Sequence, residues 1–229
     1  MGLTIETLGG DIPMVHRVWS ARCDATTVLT SVAKSSSMIA FARSRDGTTV
    51  HLRGPETAAT RLTCEEGWEF FGVEFRVGAY VPLFPPCGLL DLNDALLPTP
   101  SGNRILLGDH DWEMPDEQNV DVFVGRLVRA GLLFFDPLVD EIRHGERPPA
   151  LSERSAQIRF RRAVGVSRRK LVSIEQARQA ARLLATGQPI ADVVVAAGYY
   201  DQPQLTRAVR WATGHTPAEL RSGVPLLAY

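Results

Sequence analysis

The sequence has few of the residue patterns that mark secreted or metal-binding proteins. Only three cysteines, Cys23, Cys64 and Cys87, occur in 229 residues, and none belongs to a CxxC pair. This number and spacing indicate neither a disulfide framework nor a zinc site. We therefore expect three buried or half-buried free thiols, with a thiol that senses oxidants or electrophiles as the alternative.

Long apolar runs are also missing. No stretch approaches the roughly 18 apolar residues that a membrane span requires. The first residues, Met1–Asp11, lack the basic and apolar regions of a signal peptide. These observations predict a cytoplasmic protein without a membrane partner.

The motifs of common enzyme classes do not occur in the chain. There is no GxGxxG, P-loop, nucleophile elbow or HExxH motif, so nothing argues for an enzyme or for a cofactor. Residues 109–113, Asp-His-Asp-Trp-Glu, include metal-ligating residue types, but their spacing fits no metal motif. We expect a solvated acidic loop there and no metal site.

Charge is distributed unevenly along the chain. Residues 150–229 carry twelve Lys or Arg and five Asp or Glu, a net charge of +7. Residues 1–149 carry 13 basic and 21 acidic residues, a net charge of −8. This asymmetry predicts two domains with different partners. A compact basic domain suits double-stranded DNA, because Lys and Arg near phosphates release counterions.

The first half of the chain has the alternation and the turn signals of β-structure. Residues 38–44 and 48–54 flank Arg45-Asp46-Gly47, and an Asp-Gly turn between such runs is a strong hairpin signal. Residues 15–23 and 26–33 are predicted to form an earlier strand pair, and residues 68–77 a further strand. Several short strands this close together predict a small sandwich or barrel.

The pattern changes near Asp116. Apolar residues at helical spacing predict a helix over residues 119–130. Asp136-Pro137 predicts the start of a second helix that ends near Gly145. Arg147-Pro148-Pro149 is predicted to be a stiff connector.

Beyond Leu151 the sequence predicts helices only, because serine, threonine or aspartate caps alternate with glycine stops. The predicted helices run over residues 152–164, 167–187, 190–197, 201–212 and 216–220. The third and fourth of these are joined by a turn at Gly198, which is the helix-turn-helix arrangement.

The side chains predicted to face DNA carry donors or acceptors for base edges and phosphates. In the first of the two recognition helices they are Ser152, Arg154, Ser155, Gln157, Arg159, Arg161 and Arg162. In the second they are Asp201, Gln202, Gln204, Thr206, Arg207 and Arg210.

Three segments of this half resemble the C-terminal domain of AraC/XylS-type regulators. They are Leu151–Gly165, Gln176–Gly187 and Ile190–Leu220, the last with Gly-Tyr-Tyr-Asp-Gln at 198–202 and Gly-His-Thr-Pro at 214–217. The resemblance implies two recognition helices in successive major grooves, about 10 base pairs apart. It also implies a homodimer and RNA polymerase as partners. Since Ile158 stands where the family usually has arginine, we expect the first unit to contribute mostly phosphate contacts.

The family often has a cupin-like β-barrel with a small-molecule effector in its first half. Candidates for lining an apolar effector pocket are Trp19, Trp68, Phe70, Phe75 and Trp112, with ordinary core packing as the alternative. Residues 53–57, Arg-Gly-Pro-Glu-Thr, look like a motif of a subgroup of these regulators. We expect a tight turn there in which Glu56 caps the backbone.

Together these patterns predict an α+β protein. Residues 1–115 form a β-rich sensor (a cupin-like barrel or sandwich), 116–150 a helical connector, and 151–229 an all-α domain with two helix-turn-helix units joined by a long helix. The predicted function is a sequence-specific transcription regulator that responds to a small-molecule effector. The alternative is a small-molecule-binding protein whose helical domain has lost DNA binding.

Overall fold

The computed structural model describes residues 3–8, 11–91, 93–100, 103–146 and 151–224. The predicted connector Arg147-Pro148-Pro149 lies outside the described residues. A β-rich first part is followed by a helical second part, which confirms the predicted order of an α+β fold.

The strands are β1 (Leu3–Leu8), β2 (Val15–Cys23), β3 (Thr27–Ser31), β4 (Met38–Ser44), β5 (Gly47–Arg53), β6 (Thr60–Cys64), β7 (Glu69–Phe75), β8 (Ala79–Tyr80), β9 (Ala95–Leu97), β10 (Arg104–Leu107), β11 (His110–Glu113) and β12 (Phe134–Phe135). The α-helices are α1 (Val120–Arg129), α2 (Leu138–Arg143), α3 (Glu153–Val164), α4 (Arg168–Ala185), α5 (Ile190–Ala196), α6 (Gln202–Thr213) and α7 (Pro217–Arg221).

An antiparallel sheet of six strands organises the first part, in the order β1-β2-β7-β4-β5-β9. The predicted hairpin at Asp46-Gly47 is confirmed as β4–β5, and Gly47 takes a φ of +127° there, which an L side chain rarely adopts. Because side chains alternate along a strand, the sheet has two distinct faces. Ile39 and Val73 belong to the face buried in the main core, which α1 covers.

The predicted pairing of residues 15–23 with residues 26–33 is wrong. Strand β2 pairs with β1 on one edge and with β7 on the other. Both of its hydrogen-bonding edges are therefore used, and β3 pairs instead with β6 in a separate two-stranded ribbon. We call this ribbon, residues 27–31 and 60–64, the arm.

Helix α1 buries the predicted apolar stripe, which includes Val120, Phe123, Val124 and Leu127. Helix α2 begins after Asp136, whose carboxylate accepts a hydrogen bond from the Leu138 N–H at 3.1 Å. The predicted hydrogen bond from the first turn to Asp136 is present, but the helix begins one residue later than predicted, so Pro137 and not Asp136 directly precedes it.

The second part follows the predicted caps and stops closely. The side chains of Ser152, Ser167, Asp201 and Thr216 each accept a hydrogen bond from a backbone N–H in the first turn of their helix. The predicted inner stripe of the long helix α4 is buried, at Leu171, Ile174, Ala177, Ala181 and Leu184. This helix joins the two units.

Candidate DNA interface and effector cavity

The second helix-turn-helix unit consists of α5, a turn at Gly198 and α6. Gly198 has a φ of +71°, the left-handed conformation that favours glycine. On α6, Leu205 and Val209 are fully buried against α4 and α5. Gln202 and Arg207 project from the same helix and are exposed. The helix thus buries an apolar stripe and presents hydrogen-bond donors on its open side.

Two glutamines shape the turn of this unit. The Gln204 Oε1 accepts a hydrogen bond from the Tyr200 N–H at 2.8 Å. Gln176 of α4 donates to the carbonyls of Ala197 and Gly198, at 2.9 and 3.2 Å. Gln204 therefore has a local structural partner, although its side chain is exposed. Asp201 lies at the start of α6 and Thr206 lies in its second turn, and both are half-buried.

The first recognition helix, α3, has the predicted inner face of Ala156, Phe160 and Ala163. Its open side carries Ser152, Arg154, Ser155, Gln157, Arg161 and Arg162, all exposed. Some of these polar atoms have local partners. The Ser152 hydroxyl caps the helix by accepting from the Ser155 N–H at 3.2 Å, and Gln157 donates to Glu153 at 3.3 Å.

Arg159 differs from its neighbours on α3. Its guanidinium donates to both carboxylate oxygens of Asp136, at 2.6 and 3.0 Å. This pairing raises the pKa of Arg159, chiefly through the hydrogen bond. The predicted DNA-facing role of Arg159 stays a prediction. Two of its donors are engaged in a bidentate pair with Asp136, 23 residues earlier in the chain.

The β-rich part holds the end of α6. The N–H of Ala33 donates to the Ala212 carbonyl at 2.7 Å, and the N–H of Ala59 donates to the Trp211 carbonyl at 3.1 Å. These carbonyls lie in the last turn of α6, where a helix has no internal donors for them. We call the Ala33 and Ala59 contacts the clamp.

Apolar contacts surround the clamp. Ala33 is fully buried in a cluster with Ile174 and Ala177 of α4 and Ala212 of α6. Gly214, which ends α6, leaves room for Thr30 of the arm, because a Cβ at this position would lie 3.2 Å from the Thr30 Cγ2. The clamp therefore joins the arm to the second recognition helix.

A second junction holds the end of α3. Gly165 follows this helix with a φ of +83°, and a Cβ there would lie 2.9 Å from both the Pro55 Cγ and the Pro86 carbonyl oxygen. Phe160 packs in one cluster with Tyr80 and Val139. Both recognition helices thus contact the β-rich part beside the first half of α4, where Leu171 packs with Phe160 and Ile174 packs with Ala212.

The motif at residues 53–57 lies between these junctions. The expected backbone cap by the Glu56 side chain is wrong. Glu56 is buried, and its carboxylate accepts from the Ser31 hydroxyl at 2.9 Å and lies 3.0 Å from the Lys34 Nζ. The charges of Lys34 and of Arg53, whose Nη2 lies 3.4 Å from the same oxygen, compensate this buried carboxylate. Pro55 of the motif touches α3, and Ala59 just beyond it touches α6.

Other buried charged side chains lie on the face of the six-stranded sheet that is opposite the main core. Burial lowers the pKa of Lys34 more than the Glu56 carboxylate raises it. Burial alone raises the pKa of Glu74, but the charges of Lys34, Arg17 and Arg178 and the hydrogen bond from Ser36 together outweigh it, so the pKa of Glu74 is lowered. Arg17 lies 3.0 Å from Glu74. Arg178 of α4, whose pKa burial lowers, approaches the Ala33 carbonyl at 3.5 Å.

A cavity of about 590 Å³ lies between this face of the sheet and the arm. Its apolar walls include Ile5, Ala40, Ala42, Leu29 and Leu62, and one end carries Ser31, Lys34, Arg17, Arg53 and Asp94. A volume of this size accommodates a small organic molecule.

Three of the five predicted pocket aromatics line this cavity, namely Trp19, Trp68 and Phe70. The other two do not. Phe75 is fully buried in the main core because its strand position faces the opposite side of the sheet. Trp112 packs against that core and donates to the Leu107 carbonyl at 3.0 Å.

The expectation of three free thiols is wrong for two of them. Cys23 and Cys64 are joined as a disulfide, although they are 41 residues apart. Antiparallel pairing carries the ends of β2 and of the arm to one place, which no local spacing signals. Cys87 is free and exposed.

The segment at residues 109–113 lies on the β10–β11 hairpin, where Asp111 pairs with Arg104 at 2.6 Å. Within the described residues, no group of three or more His, Cys, Asp or Glu side chains is placed to hold a metal ion. No helix in that part of the chain is both long and apolar enough to cross a bilayer.

Fold and interface together define a two-part molecule, a β-rich domain attached to a helical domain with two exposed, basic recognition helices. Residues 150–223 match the family model described as "Helix-turn-helix domain". This match confirms the AraC/XylS-type domain that the sequence motifs predict. No curated protein matches the chain.

Among solved structures, the chain is similar to ToxT from Vibrio cholerae. One ToxT structure aligns at 10% identity over 98% of this chain and 99% of that chain, with a TM-score of 0.39. Another, bound to (E)-4-(8-methylnaphthalen-1-yl)but-3-enoic acid, aligns at 9% identity over 97% and 99%, with a TM-score of 0.44.

Proposed function

We propose that this protein is a sequence-specific DNA-binding transcription regulator. The observation that carries the proposal is the pair of exposed basic helices, α3 and α6, in a helix-turn-helix domain with a net charge of +7 from residue 150 onward. Such helices enter the major groove, and their Lys and Arg neighbours contact phosphates.

The two helices contribute differently in this proposal. On α6, Gln202, Arg207 and Arg210 read base edges or hold phosphates, because their side chains are exposed on the open side of the helix. On α3, Arg154, Arg161 and Arg162 contact mainly phosphates. Ile158, which is exposed on this helix, offers no hydrogen bond to a base.

The cavity is the proposed effector site. Its occupant is a small, mainly apolar molecule, since most of the lining is apolar and aromatic. Ser31 and Lys34 line the cavity and flank Ala33 of the clamp. An effector that favours one position of this segment therefore favours one presentation of α6, which is how a ligand shifts a two-state equilibrium.

The binding experiment uses the purified full-length chain to select genomic fragments, followed by affinity measurements over a range of salt. We expect Gln202→Ala and Arg207→Ala each to weaken specific binding by about 1–3 kcal/mol. Arg45→Ala, which removes an exposed arginine at the β4–β5 turn, is the matched control and leaves binding unchanged. Full affinity in both α6 variants would overturn the assignment of this helix.

The cavity is tested with an apolar fluorescent probe, 8-anilinonaphthalene-1-sulfonate. Ala40→Phe fills the cavity and should reduce probe binding, whereas Val28→Phe lies on the exposed side of the arm and should not. Equal probe binding by both variants would contradict the assignment.

A second function is favoured by two features of α3. Arg159 is committed to Asp136, and Ile158 replaces a donor. Both fit a small-molecule-binding protein whose helical domain no longer binds DNA. Absence of any salt-sensitive binding to genomic fragments would support this second function. A homodimer and contact with RNA polymerase are further proposals that the resemblance implies.

A further inference from the structure

We propose that Cys23 and Cys64 form a reversible disulfide that sets DNA binding through the arm. This inference rests on the proposed function, because DNA binding is its output. It does not depend on what occupies the cavity.

The two cysteines are placed for bond formation without movement of the backbone. Cys23 ends β2 of the main sheet and Cys64 ends β6 of the arm, with their Cα atoms 6.4 Å apart. Hydrogen bonds from the Cys23 N–H to Trp68 and from the Gly67 N–H to Cys23 fix the first cysteine, at 2.9 and 2.8 Å. Cys64 is fixed by its pairing with Thr27.

The compartment argues that the bond is regulatory. A protein that binds chromosomal DNA works where thiols are kept reduced, and disulfides there are mainly transient or redox-sensing. A permanent structural disulfide is the expectation for exported proteins. A cysteine pair built into such a protein is therefore a sensor of oxidation.

The cavity provides the route for an oxidant. Both cysteines are buried, but Cys64 lines the cavity, so hydrogen peroxide reaches its sulfur there. The Cys64 thiol loses its proton and the thiolate attacks one peroxide oxygen, so that an S–O bond forms as the O–O bond breaks; the expelled hydroxide takes up that proton as one water and leaves a sulfenic acid. The Cys23 sulfur then attacks the Cys64 sulfur, and the expelled hydroxide leaves with the Cys23 proton as a second water. Two thiols are oxidised and one peroxide is reduced.

The arm connects this chemistry to the second recognition helix. The disulfide fixes the Cys64 end of the arm to the main sheet. At its opposite end lie Thr30, which contacts Gly214, and Ala59, which directly precedes β6 and holds the Trp211 carbonyl. Breaking the bond frees the arm at one end and so loosens the clamp on α6.

The test compares full-length protein treated with dithiothreitol and with hydrogen peroxide. Thiol trapping and mass spectrometry measure the disulfide, and affinity for a selected genomic fragment measures the output. We expect the bond to form in the wild type and to change the affinity at least threefold. Cys23→Ser and Cys64→Ser should each abolish both the bond and the redox response, whereas Cys87→Ser, at the exposed free cysteine, should retain them.

A second measurement reports on the clamp and needs no variant. Amide hydrogen exchange at Ala33 and Ala59 should be faster in the reduced protein. Failure to trap a Cys23–Cys64 bond in oxidised protein overturns the inference. So does equal affinity in both states once the bond is confirmed. Loss of salt-sensitive DNA binding in both states instead marks the failure of the proposed function itself.

Discussion

Arg159 on the first recognition helix and Asp136 before α2 are joined by two hydrogen bonds, of 2.6 and 3.0 Å. The carboxylate side chain is only 4% exposed, whereas that of the arginine is 46% exposed. The carboxylate also caps α2 at Leu138. One buried acid therefore fixes the start of α2 and the orientation of α3 together.

This pairing predicts a loss of stability on truncation. Arg159→Ala leaves Asp136 buried with one partner fewer, and we expect the free energy of unfolding to fall by about 1–3 kcal/mol. Urea denaturation measures the change. Arg154→Ala, on the exposed side of the same helix, should change it by no more than about 0.5 kcal/mol. Equal effects of the two substitutions would show that the pair does not stabilise the junction.

Arg159 and Arg161 on α3 distinguish an arginine with a structural role from one that contacts phosphate. Arg161→Ala should reduce the slope of log affinity against log salt by about 1, because one phosphate contact is lost. Arg159→Ala should leave this slope unchanged, because its guanidinium is already engaged. Titration of a selected fragment at several salt concentrations measures both slopes. A lower slope for Arg159→Ala would return this residue to the DNA interface.

Two glycines with nearly the same backbone separate local strain from contact between the two parts. Gly165 and Gly187 have φ values of +83° and +85°, but only Gly165 faces Pro55 and Pro86 within 4 Å. Substitution by alanine should cost about 1–2 kcal/mol at Gly187, from backbone strain alone. At Gly165 it should cost about 1 kcal/mol or more beyond that, because the added Cβ pushes α3 from the β-rich part. Equal losses would mean that α3 is not tightly held there.

The lowered pKa of Glu74 predicts that the free energy of unfolding decreases at acidic pH. Burial alone would raise its folded pKa, but the nearby cations, led by Lys34 and Arg17, and the Ser36 hydrogen bond together lower it below the ordinary 4.5. The stabilisation is therefore present above pH of about 4.5 and is lost as the pH falls through the folded value.

Glu74→Gln tests this dependence by removing the charge. It should lower stability near neutral pH by about 3–5 kcal/mol, because buried cations lose their partner. It should also flatten the loss of stability that the wild type shows as the pH falls below about 4.5. Glu66→Gln, at an exposed turn, is the control and should keep the wild-type profile. A wild-type profile for Glu74→Gln would rule out this role.

Much of the local structure could be predicted because its causes are local. The Asp46-Gly47 turn, the caps at Ser152 and Asp201, and the stripe on α4 depend on residues within a few positions of one another. The partner of β3 could not be predicted in this way, because it lies some 30 residues further along the chain. The Cys23–Cys64 bond depends on the same long-range pairing, which the spacing of the cysteines in the sequence does not indicate.

In the candidate site, too, the features with local causes could be predicted and those that depend on tertiary contacts could not. Donors on the open side of α6 follow from helical periodicity. The pairing of Arg159 with Asp136 depends on how α2 packs against α3, which is decided by tertiary structure and not by local sequence. Of the cavity aromatics, Trp19 and Phe70 share a sheet face whereas Phe75 does not, and the alternation along β7 contains that information. Counting positions along β7, and not only the residue types, therefore excludes Phe75 from the cavity.

The clamp limits how this helical domain can be transplanted. Cut free near residue 151, it would lose the donors for Trp211 and Ala212 and expose Ile174 and Ala177, which Ala33 now covers. A chimera that grafts residues 151–229 onto a foreign sensor would therefore need to bring residues 30–34 and 55–59 with it. The boundary of the portable module runs through the β-rich part of the chain.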